Sequence, residues 1–291
     1  MELYFIILLP VAVALWLGYE WIEHTFVKYT TTNVECQYFM KNTEFRICII
    51  SDLHNNHKNL SKLVEQLRRF SPDVILLPGD MVNKHKTENT QAVNFLTALA
   101  RLKKTIYYSV GNHEEELRTK EPEAWKRYLD EISDKVIFLD NEGVYDSEKP
   151  EVYISGLSLP EVYYKKGKLY HSTDELPGLN IPEHCFHILL AHNPEYVKLY
   201  QKYHADLIVS GHLHGGLLRL PFLGGIVSPR LRLPEGCDAG LAKTEDNKYL
   251  FVSRGLGSHT IPLRFFNRVE VNFLLLKGVG SQTTESIKEM E

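Results

Sequence analysis

The sequence predicts an α/β fold whose sheet carries metal-binding side chains along one edge. In the first half of the chain, short β-branched apolar runs alternate with helical patterns, which is typical of parallel strands joined by helices. Five apolar runs along the chain end in a residue type that binds metal ions. Because ligands of open α/β sheets bind beyond the carboxyl ends of the strands, we expect these residues to meet at one edge.

The regular elements follow one another in a βαβαβα series from about residue 45. Each helix is recognised by apolar residues three and four positions apart, and each strand by a short apolar run bounded by Gly, Asp or Asn. Strands are predicted over 45–50, 74–78 and 105–110, and helices over 60–70, 88–102 and 125–132. Later strands are predicted near 136–139, 152–155, 186–190, 206–209, 248–253 and 269–276.

Two later features carry local signals of their own. Residues 158–183 are rich in Tyr, Lys, Pro and Gly, which indicates a long loop in a position suited to a substrate lid. Asn193 followed by Pro194 predicts the start of a helix, because Asn is a good N-cap and Pro is favoured at the first helical position.

The amino terminus is predicted to be a single-pass transmembrane anchor over residues 1–22. Residues 3–19 carry no charge and are almost wholly apolar, near the lower limit of about 17–25 residues for a spanning helix. Trp16, Tyr19 and Trp21 lie where interfacial aromatic residues are expected. A secretory signal peptide is the alternative, but no Lys or Arg precedes the apolar segment and no small-x-small cleavage site follows it.

A juxtamembrane linker with one edge strand is predicted over 23–44, and a flexible polar tail over 278–291. The basic residues Lys28, Lys41 and Arg46 follow the apolar segment and none precedes it, so the positive-inside rule favours a cytoplasmic position for the remainder of the chain.

The overall composition is that of a globular protein and excludes some classes. The chain has 291 residues, of which 44% are hydrophobic and 24% charged, with a net charge of -4. No basic excess points to nucleic acid, so no nucleic-acid partner is expected. The four cysteines form no CxxC pair, which excludes a zinc ribbon and a thioredoxin motif, and they are interpreted as buried free thiols.

The candidate ligands are hard carboxylate and amide oxygens together with imidazole nitrogens. They lie in five motifs, in the order Asp52-x-His54, Gly79-Asp80, Gly111-Asn112-His113-Glu114, His192 and Gly211-His212-x-His214. This inventory suits two metal ions, and paired metals commonly serve phosphoryl chemistry. Five histidines outside the motifs are interpreted as structural or surface residues, with His259 the first exception to consider: His57, His85, His187, His204 and His259.

This ordered set of motifs resembles the calcineurin-like metallophosphoesterase superfamily over about residues 45–276, which defines a domain of 45–277. The segment 252–257, with Pro262, Arg264 and Phe265, resembles the membrane-associated bacterial branch related to the YkuE and YaeI phosphodiesterases and to UDP-2,3-diacylglucosamine pyrophosphatases. Leu217 departs from the Gln that is common in this branch.

The resemblance implies a four-layer α/β-β/α sandwich and a defined role for each motif. Asp52, His54 and His214 would hold the first metal, and a second group would hold the other, consisting of Asn112, His192 and His212. Asp80 would bridge the two metals, whose shared hydroxide would attack phosphorus in line. His113 would be the catalytic residue that is not a ligand, with Glu114 as a candidate to orient it.

Arg254 is a candidate phosphate clamp, since its planar fork fits phosphate oxygens, and Arg264 is a weaker candidate for substrate contact. The ligand set without thiolate admits two divalent metal ions among Mn, Fe, Zn, Co and Ni, and Mn is favoured.

The expected function is therefore a membrane-anchored, metal-dependent phosphoric ester hydrolase acting on a phosphodiester, phosphomonoester or pyrophosphate bond. A lipid-linked substrate such as UDP-2,3-diacylglucosamine is one expectation, and a phospholipid or a cell-wall phosphopolymer is the alternative. A nuclease is disfavoured by the charge, and a non-catalytic metal-binding adaptor by the complete ligand set. The sequence leaves the oligomeric state open.

Overall fold

A computed structural model of the chain describes residues 2–55, 60–165, 176–216, 218–220, 224–227, 237–257 and 264–280. Within these ranges, side chains are excepted at 2–8, 218, 220, 224, 226 and 227. Several sequence predictions fall outside the described residues: His57, His259, Leu217, Pro262, the middle of the predicted lid at 166–175, and the tail from 281 onward.

The described helices agree with the predicted pattern and include one that the pattern did not predict. They are α1 (Glu2–Thr25), α2 (Leu60–Phe70), α3 (Thr90–Ala100), α4 (Asn112–Lys120), α5 (Pro122–Ile132) and α6 (Val197–Tyr200). Short 3-10 turns cover Glu161–Tyr164, Pro194–Tyr196 and Gln201–Tyr203. Helix α4 was not predicted because it is strongly polar and buries one short face, so it lacks a regular apolar stripe.

The strands occupy every range that the sequence predicted, with boundaries shifted by one to two residues. In chain order they are β1 (Lys28–Cys36), β2 (Glu44–Ile49), β3 (Val74–Leu77), β4 (Thr105–Ser109), β5 (Ile137–Leu139), β6 (Glu142–Tyr145), β7 (Val152–Leu157), β8 (Phe186–Ala191), β9 (Leu207–Ser210), β10 (Leu218–Leu220), β11 (Gly224–Val227), β12 (Gly240–Lys243), β13 (Tyr249–Val252) and β14 (Glu270–Gly278).

Among the described residues, the strands form two six-stranded sheets and one hairpin, β10-β11. The first sheet has the order β1-β14-β2-β3-β4-β5, and the second has the order β12-β13-β9-β8-β7-β6. Strands β2 to β5 are parallel, and so are β13, β9, β8 and β7. The carboxyl ends of both parallel sets therefore offer the ligand edge that the sequence predicted.

Strand β1 makes residues 28–36 of the predicted linker part of the first sheet. It pairs in parallel with β14 over nine residues, from Lys28 opposite Glu270 to Cys36 opposite Gly278. The edge strand expected within the predicted linker is therefore present, and the sheet includes residues well before Phe45. Its Thr-rich sequence reflects an edge position, where most side chains remain at least partly exposed.

Three apolar clusters separate four layers. Between the sheets, alternate residues of β2 such as Phe45 and Ile47 meet residues of the second sheet such as Ile188 and Val209. The opposite face of the first sheet packs on α2 to α5, and the outer face of the second packs on the tyrosine-rich region around α6. This arrangement is the α/β-β/α sandwich that the resemblance implied.

Helix α1 occupies the range where the anchor was predicted and contains Pro10. In the part of the chain that the structure describes, no helix combines the length and the apolarity needed to cross a membrane. The described side chains of α1 expose large apolar groups, including Leu9, Leu15 and Leu17.

His187 is a buried structural histidine of the second sheet, as interpreted from the sequence. Its Nε2 lies 2.7 Å from Ser155 Oγ, and its backbone N–H donates to Asp206 Oδ2. Burial disfavours the charged imidazolium and lowers the pKa of His187 to about 4, although Asp206 opposes this shift. The unfolded chain takes up this proton near pH 6.5, whereas the folded chain does so only near pH 4.

We predict that His187 makes the protein less stable as the pH falls from 6.5 to 4, because the unfolded state then binds more protons than the folded state. Above pH 6.5 this contribution to stability is fully present. Relative to His187→Gln, the wild-type free energy of unfolding should fall by about 3 kcal/mol more between pH 7 and pH 4 in urea titrations. His184→Gln is the control, because that side chain is 93% exposed. Equal pH slopes for wild type and His187→Gln would contradict the prediction.

Candidate metal centre

The five strand-end motifs meet at the edge that both sheets share. Ligand atoms fall into three overlapping groups, each within 4.8 Å: Asp52, His54 and His214; His54, Asp80 and His113; and Asp80, His192 and His212. Asn112 joins the third group, because its Oδ1 lies 2.8 Å from His212 Nδ1. The structure thus brings together all seven predicted ligands and His113.

Asp80 lies between the two predicted ligand groups. Its Oδ2 is 3.2 Å from His192 Nε2, 3.9 Å from His54 Nε2 and 4.0 Å from His113 Nε2. On the side of Asp52, the Nε2 atoms of His54 and His214 are 3.0 Å apart. One carboxylate oxygen facing imidazoles of both groups is the geometry expected of a bridging ligand.

The donor set fits metal ions, as two buried atoms show. Asp52 Oδ2 is shielded from solvent and has no hydrogen-bond partner among the described residues; His192 Nε2 is equally shielded and lies 3.2 Å from Asp80 Oδ2 without the geometry of a hydrogen bond. His192 Nδ1 lies 2.9 Å from the carbonyl oxygen of Pro78 and must donate to it, which leaves the lone pair of Nε2 directed into the cluster. Buried polar atoms without partners are costly, and metal coordination would satisfy both.

The electrostatics of the cluster also favour bound cations. Burial raises the pKa of Asp52 to about 6, with Asp80 adding to the rise and His192 opposing it. Burial also opposes ionisation of Asp80, but His192 and His113 outweigh it and hold the pKa of Asp80 well below its ordinary range. Two carboxylates buried this close repel each other, and divalent cations between them would remove the repulsion.

The backbone of the ligand loops is strained where the ligands lie. Five ligands adopt the left-handed conformation, with φ between 51° and 69°: Asp52, His54, Asp80, His212 and His214. Each such residue costs on the order of 1–3 kcal/mol, so the surrounding contacts must hold it in place. Such strain commonly accumulates at functional sites, and here it turns side chains back over the strand ends.

Two glycines permit the loops after β3 and β4 to touch. Gly79 has φ +107°, and a Cβ there would lie 2.7 Å from backbone atoms of Gly111. A Cβ on Gly111 would lie 2.3 Å from Asp80 Oδ1. Any larger residue at either position would push the Asp80 and Asn112 loops apart.

Glu114 holds these loops together. The sequence suggested that it orients His113, but its hydrogen bonds among the described residues go to other groups. It is fully buried, and its Oε2 accepts the N–H groups of Asp80 and Gly111. Its Oε1 accepts Val82 N–H and the hydroxyl of Tyr108. Burial and the nearby Asp80 raise the pKa of Glu114 to about 7. The Gly-x-x-Glu spacing at the start of α4 carries a usable signal, since a Glu at N3 often accepts the N-cap N–H.

His113 lies on the first turn of α4 at the edge of the cluster. Its backbone N–H donates to Asp80 Oδ1 at 2.8 Å, and its Nδ1 accepts Lys84 N–H at 3.3 Å. The same Nδ1 lies 3.2 Å from His54 Nδ1. One assignment satisfies both contacts: His54 Nδ1 donates, His113 Nδ1 accepts, and the neutral His113 carries its proton on Nε2, which faces the cluster.

The two candidate arginines have structural partners. Arg254 Nε lies 3.6 Å from Glu270 Oε2, and the Arg254 side chain packs against Gly215. Arg264 is buried, and its Nη2 contacts His214 Nδ1 at 3.2 Å as well as the carbonyls of Arg254 and Gly257. Arg264 therefore braces backbone carbonyls around a predicted ligand instead of reaching substrate, which corrects the substrate-contact prediction.

Sequence reasoning missed Tyr164, which lies in the 3-10 turn of the predicted lid. Its ring centroid is 5.6 Å from that of His212 and 6.3 Å from that of His192. Its hydroxyl is buried with no hydrogen-bond partner among the described residues, and burial together with Asp80 raises the pKa of Tyr164 well above its ordinary value. A Tyr within a Tyr-rich loop gave no distinguishing signal.

We predict that Glu114→Ala lowers the free energy of unfolding of the metal-free protein by at least about 3 kcal/mol, because it leaves three backbone N–H groups unpaired in the interior. Urea titration measures the effect. Glu123→Ala, on the exposed face of α5, should change the same quantity by less than about 0.5 kcal/mol. Similar losses in the two variants would show that the Glu114 hydrogen bonds do not hold the ligand loops.

Comparison with known proteins places this geometry in a family. The family model described as calcineurin-like phosphoesterase matches residues 45–216. An uncharacterised metallophosphoesterase of Aquifex aeolicus is 29% identical, with 92% of this chain and 99% of that protein covered. The uncharacterised metallophosphoesterase YkuE of Bacillus subtilis is 27% identical, with 81% and 80% covered.

A further relative is the UDP-2,3-diacylglucosamine pyrophosphatase LpxG of Chlamydia trachomatis, which is 24% identical, with 73% of this chain and 78% of that protein covered. These relatives include members of the branch that the segment 252–257 indicated. The family is dinuclear and metal-dependent, in agreement with the paired ligand groups around Asp80. The chain therefore belongs to the calcineurin-like phosphoesterase family and is a metal-dependent phosphoric ester hydrolase.

Proposed function

We propose that this protein hydrolyses phosphoric esters at a two-metal centre built from the strand-end residues. The observation that carries the proposal is the meeting of three overlapping ligand groups, each within 4.8 Å, two of which share Asp80. Asp52, His54 and His214 would hold one ion. The second ion would be held by Asn112, His192 and His212, with Asp80 shared between the two.

The metals, when bound, supply Lewis acidity toward phosphate oxygens and lower the pKa of coordinated water. The protein side chains provide the geometry for this chemistry. His192 is held by Pro78 with its Nε2 directed inward. Asp80 is fixed because its backbone N–H donates to Glu114 Oε2 and its Oδ1 accepts the backbone N–H of His113. A site prepared in this way needs little rearrangement when charge develops on the phosphate.

His113 is the residue proposed to deliver a proton to the leaving oxygen. Its Nδ1 is engaged by Lys84 and His54, so the ring proton is on Nε2. The Nε2 atom faces the cluster and lies 4.0 Å from Asp80 Oδ2. A substrate phosphate placed over the metals would bring its ester oxygen into the reach of this proton, and proton transfer of this kind speeds leaving-group departure.

Membrane attachment through α1 is part of the proposal. Large apolar side chains are exposed around this helix, and Leu15 is 71% exposed. The uncharged stretch 3–19 of this helix suits lipid better than water. We place the metal centre on the cytoplasmic side, because the basic residues follow the apolar segment.

A site held at a bilayer favours lipid-linked phosphates as substrates. The name of the Chlamydia relative specifies a pyrophosphatase of UDP-2,3-diacylglucosamine, which motivates testing that compound first. Phospholipids and cell-wall phosphopolymers are the alternative class. Mn is the metal to supply first, since oxygen and imidazole ligands without thiolate accept it.

We predict that the Mn-loaded protein hydrolyses bis-p-nitrophenyl phosphate or p-nitrophenyl phosphate, and that Asp80→Ala and His212→Ala each abolish turnover. Removing the shared or a terminal ligand would disassemble the centre. His85→Ala is the control, because His85 is exposed and lies outside the cluster. Full turnover in both ligand variants would refute the proposed site.

We predict that His113→Gln lowers kcat by about 10²- to 10⁴-fold while the metal content stays at the wild-type value. The loss should be larger for an alkyl phosphodiester than for a p-nitrophenyl ester, because the poorer leaving group depends more on protonation. Kinetics with both substrates and metal analysis check this. Loss of metal in His113→Gln would instead identify His113 as a ligand.

We predict that the Mn-loaded protein in detergent prefers lipid-linked substrates to soluble ones. A panel of UDP-2,3-diacylglucosamine, phosphatidyl lipids and soluble nucleotide diesters should show at least about tenfold higher kcat/KM for a lipid substrate, because substrate and anchor share one interface. Activity confined to soluble nucleotides would contradict the lipid-linked proposal and leave the two-metal proposal intact.

A further inference from the structure

The carboxyl-terminal end of α1 is bound to the wall of the metal centre. Residues 264–270, which we call the bracing segment, receive most of these contacts. Glu20 Oε2 accepts the backbone N–H of Arg264 at 3.1 Å, and the carbonyl of Glu23 accepts the N–H of Val269 at 3.1 Å. The hydroxyl of Tyr19 accepts the N–H of Phe266, and the Tyr19 ring stacks on Phe265.

The bracing segment in turn contacts a predicted metal ligand. The guanidinium of Arg264 lies 3.2 Å from His214 Nδ1, and its other contacts fix it to the carbonyls of Gly257 and Asn267. The side-chain amide of Asn267 donates to the carbonyls of His214 and Gly216, each at 2.6 Å. The left-handed turn that presents His214 is therefore held from the side that faces α1.

Glu20 and Glu23 of α1 are buried, which simple attachment to a membrane does not explain. Glu20 is 8% exposed and Glu23 is 5% exposed, in a helix whose other described side chains are largely apolar and exposed. Burying a carboxylate is costly unless it is hydrogen-bonded or paired. Glu20 is 3.3 Å from His24 Nε2 as well as bonded to Arg264, and Glu23 faces Arg268 at 3.8 Å.

We propose that α1 is a structural support of the metal centre as well as an anchor. Glu20 fixes the backbone of Arg264, the Arg264 guanidinium holds the carbonyl of Asn267, and the Asn267 amide holds the carbonyl of His214. The affinity for the metal beside His214 depends on this chain of contacts. Glu20 and Arg264 are thus positioning residues. The inference rests on the proposed two-metal site and adds that the helix holding the protein at the membrane also completes the site.

The test measures Mn²⁺ binding to the full-length, metal-free protein in detergent by isothermal titration calorimetry. Glu20→Ala should weaken the affinity of one of the two Mn²⁺ binding steps about tenfold, which corresponds to the loss of one hydrogen bond to a charged group. Glu20→Gln keeps an acceptor oxygen and should restore most of the affinity. Trp21→Ala is the matched control, because Trp21 is the next residue of the same helix and is 56% exposed.

A second arm tests the route through Arg264. In an Arg264→Ala background, Glu20→Ala should cause no further loss of Mn²⁺ affinity, because the intermediate contact is already absent. Thermal unfolding confirms that each variant is folded before titration. Wild-type affinity in folded Glu20→Ala, an equal loss in Trp21→Ala, or additive losses in the double variant would overturn the inference. Absence of Mn²⁺ binding to the wild type would instead refute the proposed function.

Discussion

The metal-binding edge depends on the buried carboxylate of Glu114. This one group joins the loop after β3, through Asp80 and Val82, to the loop after β4, through Gly111. The glycines at 79 and 111 allow the loops to approach, and Glu114 keeps them together. Ligand residues in the left-handed conformation are stable only where surrounding contacts hold them in place. A carboxylate that accepts four hydrogen bonds supplies such contacts. The positions of Asp80, Asn112 and His113 all follow from it.

A second constraint comes from residues that carry no ligand. The N–H groups of Leu256 and Gly257 donate to the carbonyls of Ser51 and Asp52, so the chain after β13 covers the first ligand loop. Asn267 secures the last ligand loop in a similar way. Residues 253–257 and 264–269, between β13 and β14, therefore close the side of the site that Glu114 does not reach. Its Ser-Arg-Gly-Leu-Gly sequence is explained by this close approach, since a Cβ at Gly257 would lie 2.5 Å from a backbone carbonyl.

The strands and the grouping of the ligands were predictable, because both depend on local patterns. Buried parallel strands are short apolar runs, and their carboxyl ends meet at one edge whatever the details of packing. The roles of Glu114 and Arg264 were not predictable in this way. When burial is not known, an acidic residue beside a catalytic motif is interpreted as solvated, and a lone Arg is interpreted as a substrate contact. Helix α4 was not predicted for a related reason. Its buried positions include Glu114 and Glu115, so the sequence shows no apolar stripe there.

The position of β14 has a consequence for how the polypeptide reaches its native state. This strand lies between β1 and β2, although some 220 residues separate it from β2 along the chain. During synthesis, the amino-terminal helix and β1 emerge long before the strand that must pair with both neighbours. Contacts so distant in sequence slow folding, and β2 has an unpaired edge until β14 arrives. The nascent chain therefore passes through a state with an exposed sheet edge, and completion of the first sheet waits until β14 has been synthesised.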